Sequence, residues 1–328
     1  MADPTGHAEA RSLEQRVADE LAQPASWAAR TLGEAIVARH GDAVAALLFY
    51  GSCLRKSTHE GVLDFYLVVD SYRGAGLSRR HSCLAALLPP NVYYLAIETE
   101  QGTLRTKYAV ISSRGFERRV RPSCLHPYIW ARFAQPALLV HVRDAESRER
   151  ITGAVRQAIV TLVQRLAVFM PAKGRLQRFR LASFWRDALR RTYSAELRGE
   201  SAETIRSHYD ADPDRYDEVA AGALEALEAE GWLTGVRVSG NAVEVEMRPL
   251  RRRLARLRWG LTRPLAKGLA VLRLLKTAST FGDWLPYALW KLERHSGVHI
   301  EVSERQRRHP LIFGWPVIFR IVARKELR

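Results

Sequence analysis

The stretch AVAALLFYGSCLRKSTHEGVLDFYLVVD, residues 43–70, decides the reading of this chain. Its opening, Ala43–Tyr50, is almost wholly apolar and ends at Gly51-Ser52, the pattern of a buried strand running into a tight turn. Leu63–Val69 reads as a second buried strand, with Asp64 at its start and Asp70 as the turn residue that ends it. Eleven residues separate Ser52 from Asp64. A Gly-Ser turn lets backbone N–H groups and a hydroxyl approach a polyphosphate closely, because glycine has no side chain in the way. A carboxylate on the adjacent strand can then hold Mg²⁺ against the same phosphates. Alone, Gly-Ser is an ordinary turn; the acid that follows it gives it chemical meaning.

Outward from this stretch, residues 12–40 read as helix, with Leu13, Val17 and Leu21 spaced by four. Val92–Glu98 and Lys107–Ser112 are strands joined across Gln101-Gly102, and Ala137–Val142 is a fifth strand after Pro136. Strands interspersed with helices, without regular βαβ spacing, predict an α+β fold with a mixed sheet. Arg148–Arg198 reads as helical in two pieces, separated around Pro171–Gly174. A helix over Tyr216–Glu230 precedes an alternating hairpin, Val236–Val238 and Val243–Met247, turned at Ser239-Gly240-Asn241. That pairing has the outline of a winged helix. The expected organisation is residues 1–147, 148–249 and a basic amphipathic region, 250–328.

The net charge of +16 is unevenly spread: from Arg251 onward, 18 Lys and Arg face 5 Asp and Glu. Such a tail predicts an anionic partner, nucleic acid or acidic lipid. Leucines recur every three or four residues over Leu254–Leu275 with Arg and Lys between them, interrupted by Gly260 and Pro264. This stretch fits a helix lying on a membrane surface, or an ordinary helix packing its leucines inward. Trp284, Trp290, Trp315 and the apolar run Leu311–Val322 follow. No signal peptide and no apolar run of spanning length is read. Three widely spaced cysteines (Cys53, Cys83, Cys124) predict a reduced, cytosolic chain without disulfides. Glu98 and Glu100 read as solvated strand ends, and the histidines form no cluster.

The order Gly-Ser, then an acid on the next strand, resembles nucleotidyltransferases of the polymerase-beta type. Most of those carry a second acid two residues after the first, where this chain has Tyr66. Residues 45–200 further resemble the mitochondrial translocator assembly and maintenance protein family, which are phosphatidate cytidylyltransferases (CDP-diacylglycerol synthases). The resemblance runs through Tyr50-Gly51-Ser52, Leu63-Asp64-Phe65 with Val69-Asp70, and Val92-Tyr93-Tyr94. It continues at Lys107-Tyr108, Val110-Ile111-Ser112, Tyr128-Ile129, Arg132 and Pro136. It ends at Tyr193-Ser194-Ala195-Glu196-Leu197-Arg198, similar to the family's Tyr-Ser-Gly-Asp-Phe-Arg. That family also lacks the second acid. Cys53 and Ala195 stand where it has Gly, and Glu196 where it has Asp.

The resemblance implies that Tyr50, Gly51, Ser52 and Lys107 bind the nucleotide, Lys107 neutralising the departing pyrophosphate. Asp64 would hold Mg²⁺, and Glu196 would complete the metal site or serve as base. Arg132 and Arg198 would bind the lipid phosphate. The implied substrates are CTP and phosphatidate. The implied place is cytoplasmic, peripheral on the inner face of a membrane contacted through residues 251–276. The residues taken alone leave simpler roles open: Glu196 pairing with Arg191 or Arg198, and Lys107 and Arg132 as surface cations. They leave open a nucleotidyltransferase with another small-molecule, protein or RNA acceptor, and a catalytically degenerate nucleic-acid-binding protein. The acids of the Tyr216–Glu230 helix make nucleic acid the less expected partner, since a recognition helix should be basic.

Overall fold

A computed structural model of the chain describes residues 11–58, 61–196 and 201–280. Where the sequence reading has one helix over 12–40 there are two, α1 (Leu13–Leu21) and α2 (Trp27–His40). Pro24 lies between them, and each helix has its own serine cap. Ser12 makes a capping box with Gln15, and the Ser26 hydroxyl accepts from the Ala29 N–H. Then come β1 (Val44–Tyr50), α3 (Ser52–Arg55), β2 (Val62–Val69), α4 (Arg79–Leu87), β3 (Asn91–Thr99), β4 (Gly102–Ser112), α5 (Ser113–Val120), α6 (Trp130–Phe133) and β5 (Ala137–Val142). The strands form one sheet in the order β3-β4-β2-β1-β5. The β2–β4 pair is parallel and the other pairs are antiparallel, so the fold is α+β with a mixed sheet, as expected.

Each face of β2 is buried in its own core. Leu63, Phe65, Leu67 and Val69 share one with Leu32 and Ile36 of α2. Tyr66 and Val68 share the other with Ile151, Val155, Ile159 and Leu162 of α7 (Ala145–Leu166). Double-sided burial is why the strand reads as a continuous apolar run rather than an alternation. It also makes Asp64 conspicuous. A one-residue slip of β2 would carry that carboxylate into the α2-side core, where an unpaired charge costs on the order of several kcal/mol.

A second sheet has the order β6-β7-β9-β8, from β6 (Ala172–Lys173), β7 (Leu176–Arg180), β8 (Thr234–Ser239) and β9 (Ala242–Glu246). Between its strands lie α8 (Leu181–Ala195), α9 (Ala202–Asp210) and α10 (Pro213–Ala229). The predicted hairpin is β8–β9, and its partner β7 corrects the reading of 148–198 as two helical pieces parted only around Pro171–Gly174. Five residues are too few to show a period, and β7 owes its strand form to pairing with β9, Phe179 opposite Val243. The core that begins at Leu13 runs through α7, α8 and α10 to Ala266, crossing both boundaries drawn at 147/148 and 249/250.

The last described element, α11 (Pro249–Thr280), is one helix of 32 residues that continues through Gly260 and Pro264, where the sequence reading breaks it. Its contact with the body compensates the hydrogen bond that Pro264 cannot make. Trp259 is buried against Trp130 and Phe169, and Thr262, Ala266, Arg273 and Lys276 are buried along the same side. The alternative in which its leucines pack inward is overturned: Leu250, Leu254, Leu257, Leu261, Leu265 and Leu272 are exposed. Among the described residues, no helix is long and apolar enough to cross a membrane. Trp284, Trp290, Trp315 and the run 311–322 lie outside the described residues.

Candidate active site

Strand register places Tyr50, Asp64 and Lys107 in one row across the sheet, Tyr50 opposite Asp64 and Asp64 opposite Lys107. Lys107 is mid-strand rather than at a strand end, because β4 begins at Gly102. The buried Thr106 hydroxyl donates to the Leu63 carbonyl at 2.9 Å, locking β4 to β2 beside this row. Lys107 Nζ lies 3.1 Å from Asp64 Oδ1, and the carboxylate is the more buried partner, 16% exposed against 40%. The contact is an ion pair rather than a directed hydrogen bond, since Oδ1 accepts none from the described residues.

The chain leaves β1 through Gly51 at φ 96°, ψ −159°, a conformation that side-chain-bearing residues enter only with strain. A second constraint is spatial. A Cβ on Gly51 would stand 2.9 Å from Asp64 Oδ2 and 3.2 Å from Asp64 Cβ. The turn backbone is therefore pressed against the carboxylate. Ser52 follows as the exposed first residue of α3, whose first-turn N–H groups have no partner within the helix. Behind it the buried Cys53 thiol donates to the Val62 carbonyl at 3.6 Å, so this cysteine ties the turn to the start of β2.

On the same face of the sheet, Tyr66 occupies the position two residues after Asp64. It is fully buried, its ring 5.4 Å from that of Tyr50 and 5.0 Å from that of Phe133, and its hydroxyl has no partner among the described residues. Burial, and next the neighbouring Tyr128, push its pKa up; burial, and next the charge of Asp64, do the same to Tyr50. Both phenols therefore keep their protons and remain donors.

Arg132 closes this group. Its guanidinium lies 3.9 Å from the Tyr128 ring centroid, and Nη1 donates to the Tyr128 carbonyl at 2.6 Å. Burial opposes its charge, yet Tyr128, Glu196, Tyr66 and Tyr50 together hold its pKa above the ordinary arginine range. Glu196, at the end of α8 and 7% exposed, has its Oε2 3.8 Å from Arg132 Nη1. Of the two partners the sequence offered, Arg191 pairs with Asp187 instead, and Arg198 lies outside the described residues.

Asp64 fits a Mg²⁺ anchored by one carboxylate, because that ion takes its remaining oxygens from phosphates and water. The Asp64 Oδ1, which accepts no hydrogen bond from the described residues and faces only the Lys107 charge, beside a close-approach glycine, is the observation behind that fit. Glu196 stands in contact with Arg132 instead. Among the described residues no group of three or more His, Cys, Asp or Glu side chains is placed to hold a metal.

Sequence reasoning assigned no site role to Tyr128, and placed Arg273 only in the basic stretch expected to meet a membrane, although Tyr128 stands four residues before Arg132, the spacing that brings helical side chains together. Arg273 had no local signal. A cleft of about 610 Å³ opens beside α3, with Leu54, Arg55, His208 and Tyr216 in its wall. Another, of about 440 Å³, is lined by His40, Tyr93 and Tyr108 on the opposite face of the sheet from Asp64. The acids of α10 are structural in part. Asp217 accepts from Tyr209 and Asn241, and Glu228 from the Val236 N–H.

No protein-family model matches the chain, and no curated protein matches it. The roles of these residues therefore rest on the chain's own geometry.

Proposed function

We propose that the chain is a Mg²⁺-dependent nucleotidyltransferase of the polymerase-beta type that transfers a cytidylyl group from CTP to phosphatidate at a membrane surface. The observation that carries it is the contact between the Gly51 backbone and the Asp64 carboxylate, with Lys107 in ion-pair contact beside them. A glycine demanded by both backbone angle and space, set against a largely buried carboxylate whose Oδ1 accepts no hydrogen bond from the described residues, suits a triphosphate and its metal. The choice of CTP and phosphatidate comes from the resemblance carried by residues 45–200.

In this reading Gly51 and Ser52 cradle the phosphates through N–H groups and a hydroxyl, with the Tyr50 phenol as a further donor. Asp64 holds the metal, which when bound supplies charge neutralisation across the phosphates. A phosphate oxygen of the acceptor forms a bond to the α-phosphorus as the α–β bridging P–O bond breaks. That electron pair leaves on pyrophosphate, which Lys107 neutralises. Arg132 orients the acceptor phosphate. An acceptor phosphate is largely ionised at neutral pH, so a strong base is unnecessary.

A lipid acceptor is supported by α11. This helix carries nine Arg and Lys and no acid, and apart from the buried Arg273 and Lys276 these cations stand among its exposed leucines. Each cation near an acidic membrane adds about 1 kcal/mol. The arrangement of α10 and the β8–β9 hairpin belongs to a winged-helix-like unit in this reading. The engaged acids of α10 count against a DNA-reading role.

The test is pyrophosphate release from CTP and Mg²⁺ on phosphatidate vesicles, comparing the intact chain with Asp64→Ala. Release that requires phosphatidate and disappears in the variant supports the reading. Absence of release with any nucleotide overturns it.

A further inference from the structure

We propose that the cavity of about 440 Å³ between the end of α2, the turn before α4 and the β3–β4 pair binds a small aromatic anion, a single ring carrying a carboxylate or a phosphate. The cavity faces away from Asp64. Lys107, which meets Asp64, and Tyr108, which lines the cavity, are neighbours in β4 and so point to opposite faces of the sheet. The site is therefore independent of the transferase reading.

Tyr93, Tyr94 and Tyr108 give the cavity an aromatic wall. The rings of Tyr93 and Tyr108 stack, with centroids 5.5 Å and planes 28° apart. Behind them the floor is fixed by a short chain of hydrogen bonds. His40 Nδ1 lies 2.9 Å from the Ala75 carbonyl, which can only accept, so this nitrogen carries the proton. Burial lowers the pKa of His40 and keeps its ring neutral, and Nε2 then accepts from the Tyr108 hydroxyl at 3.2 Å. The imidazole also stands edge-on to the Tyr108 ring, with centroids 5.6 Å apart. Tyr108 is buried, whereas Arg39 and Ser78 are exposed, so the cavity runs from a buried floor to an open rim. Its shape exists before any ligand arrives.

The charge around this cavity has one sign. Arg39, His40 and His81 line it, and among the described residues no Asp or Glu does. Arg39 acts on both His40 and Tyr108, while no carboxylate acts on either. The first turn of α4, which begins after Ser78 at the same rim, carries Arg79 and no acid. Cations at that end of a helix oppose its dipole, which favours negative charge there.

A neutral donor supplements the cation. The Tyr93 hydroxyl accepts from Asn91 Nδ2 at 3.4 Å, which leaves its own proton to give, and burial raises the pKa of this phenol so that the proton is kept. A neutral ring would use the stacked phenols alone, and an inorganic anion the guanidinium alone. A ring bearing an acidic group uses both, its ring against the phenols and its charge toward Arg39. A metal cation is disfavoured by the same charges.

The experiment is calorimetric titration of the full chain with 4-hydroxybenzoate and with phenyl phosphate, and with phenol and inorganic phosphate as controls. Both aryl anions are expected to bind about tenfold tighter, or more, than either control. Arg39→Ala, a change at an exposed position, should weaken both by about tenfold or more, since a charge-assisted contact is lost. Arg39→Lys keeps the charge without the fork and should fall between. Asp64→Ala should bind both as the wild type does. A preference for one aryl anion identifies the acidic group, with the site upheld. Absence of aryl-anion binding overturns the site, as does wild-type affinity in Arg39→Ala. Phenol binding as tightly as 4-hydroxybenzoate, or inorganic phosphate as tightly as phenyl phosphate, overturns the aromatic anion as its ligand. Loss of binding in Asp64→Ala would place the probes on the other face of the sheet and overturn it as well.

Discussion

Substituting Gly51 by alanine tests the contact on which the catalytic reading depends. At φ 96° an alanine is strained whatever space surrounds it, and residues held in such regions cost about 1–3 kcal/mol. The added Cβ would also stand 2.9 Å from Asp64 Oδ2, where ordinary contacts begin near 3.4 Å. The carboxylate must then retreat by about half an ångström, or the turn must open by as much. Misplacing a reacting group by 1 Å costs about a hundredfold in rate, so pyrophosphate release should fall roughly 10- to 100-fold. The two contributions separate in a double-mutant cycle measured by denaturant unfolding. In an Asp64→Ala background the carboxylate clash is gone and only the strain and the 3.2 Å contact with Cβ remain. Gly51→Ala should therefore cost less there than in the wild type, with a coupling of about 0.5–2 kcal/mol. Additive stabilities together with an undiminished rate in Gly51→Ala would refute the argument that this glycine is shaped around the carboxylate.

Three further outcomes are expected. Replacing Leu254, Leu257 and Leu261 of α11 by serine should abolish flotation on phosphatidate-containing vesicles. Each change should alter folding stability by less than about 0.5 kcal/mol, because these side chains are exposed; a large loss of stability would mean they pack inward. Glu20→Ala should cost about 3–5 kcal/mol in unfolding free energy. It strands Arg215, which pairs with Glu20 at 2.7 Å while both side chains are nearly buried, and removes the acceptor of the Ala137 N–H. A loss below 1 kcal/mol, the scale of an exposed pair, would contradict that burial. Burial, followed by the charges of Arg273 and Arg119, lowers the pKa of His126 to about 3. The unfolded chain takes up that proton near pH 6.5 and the folded chain does not. Stability should thus fall as pH drops from about 6.5 toward 3, by at most about 1.4 kcal/mol per pH unit from this group. His126→Gln should flatten that slope in acid unfolding curves, and an unchanged slope would show that His126 is not held neutral.

The amphipathic and doubly buried segments were legible because their signals are local. The apolar runs at β1 and β2 and the β8–β9 turn are each written within a dozen residues, and they appear near their expected positions. The errors fall where structure depends on distant partners. β7 is a strand through its pairing with β9, more than sixty residues later. The helix α11 continues through Pro264 because the body supports it. The direction its leucines face follows from Trp259, Thr262 and Ala266 docking on the other side.

The candidate site divides in the same way. Sequence by itself determined the close-approach turn Gly51-Ser52 and the acid Asp64, because a glycine at a strand end and a charge inside an apolar strand are exceptions readable in place. Their alignment with Lys107 needed the parallel pairing of β2 with β4, a register that no single strand specifies. Glu196 facing Arg132, and Arg273 arriving beside Tyr128, were decided by tertiary structure alone. They bring together side chains from α6, α8 and α11, and charges buried together select their partners by proximity in the fold, which spacing along the chain does not encode.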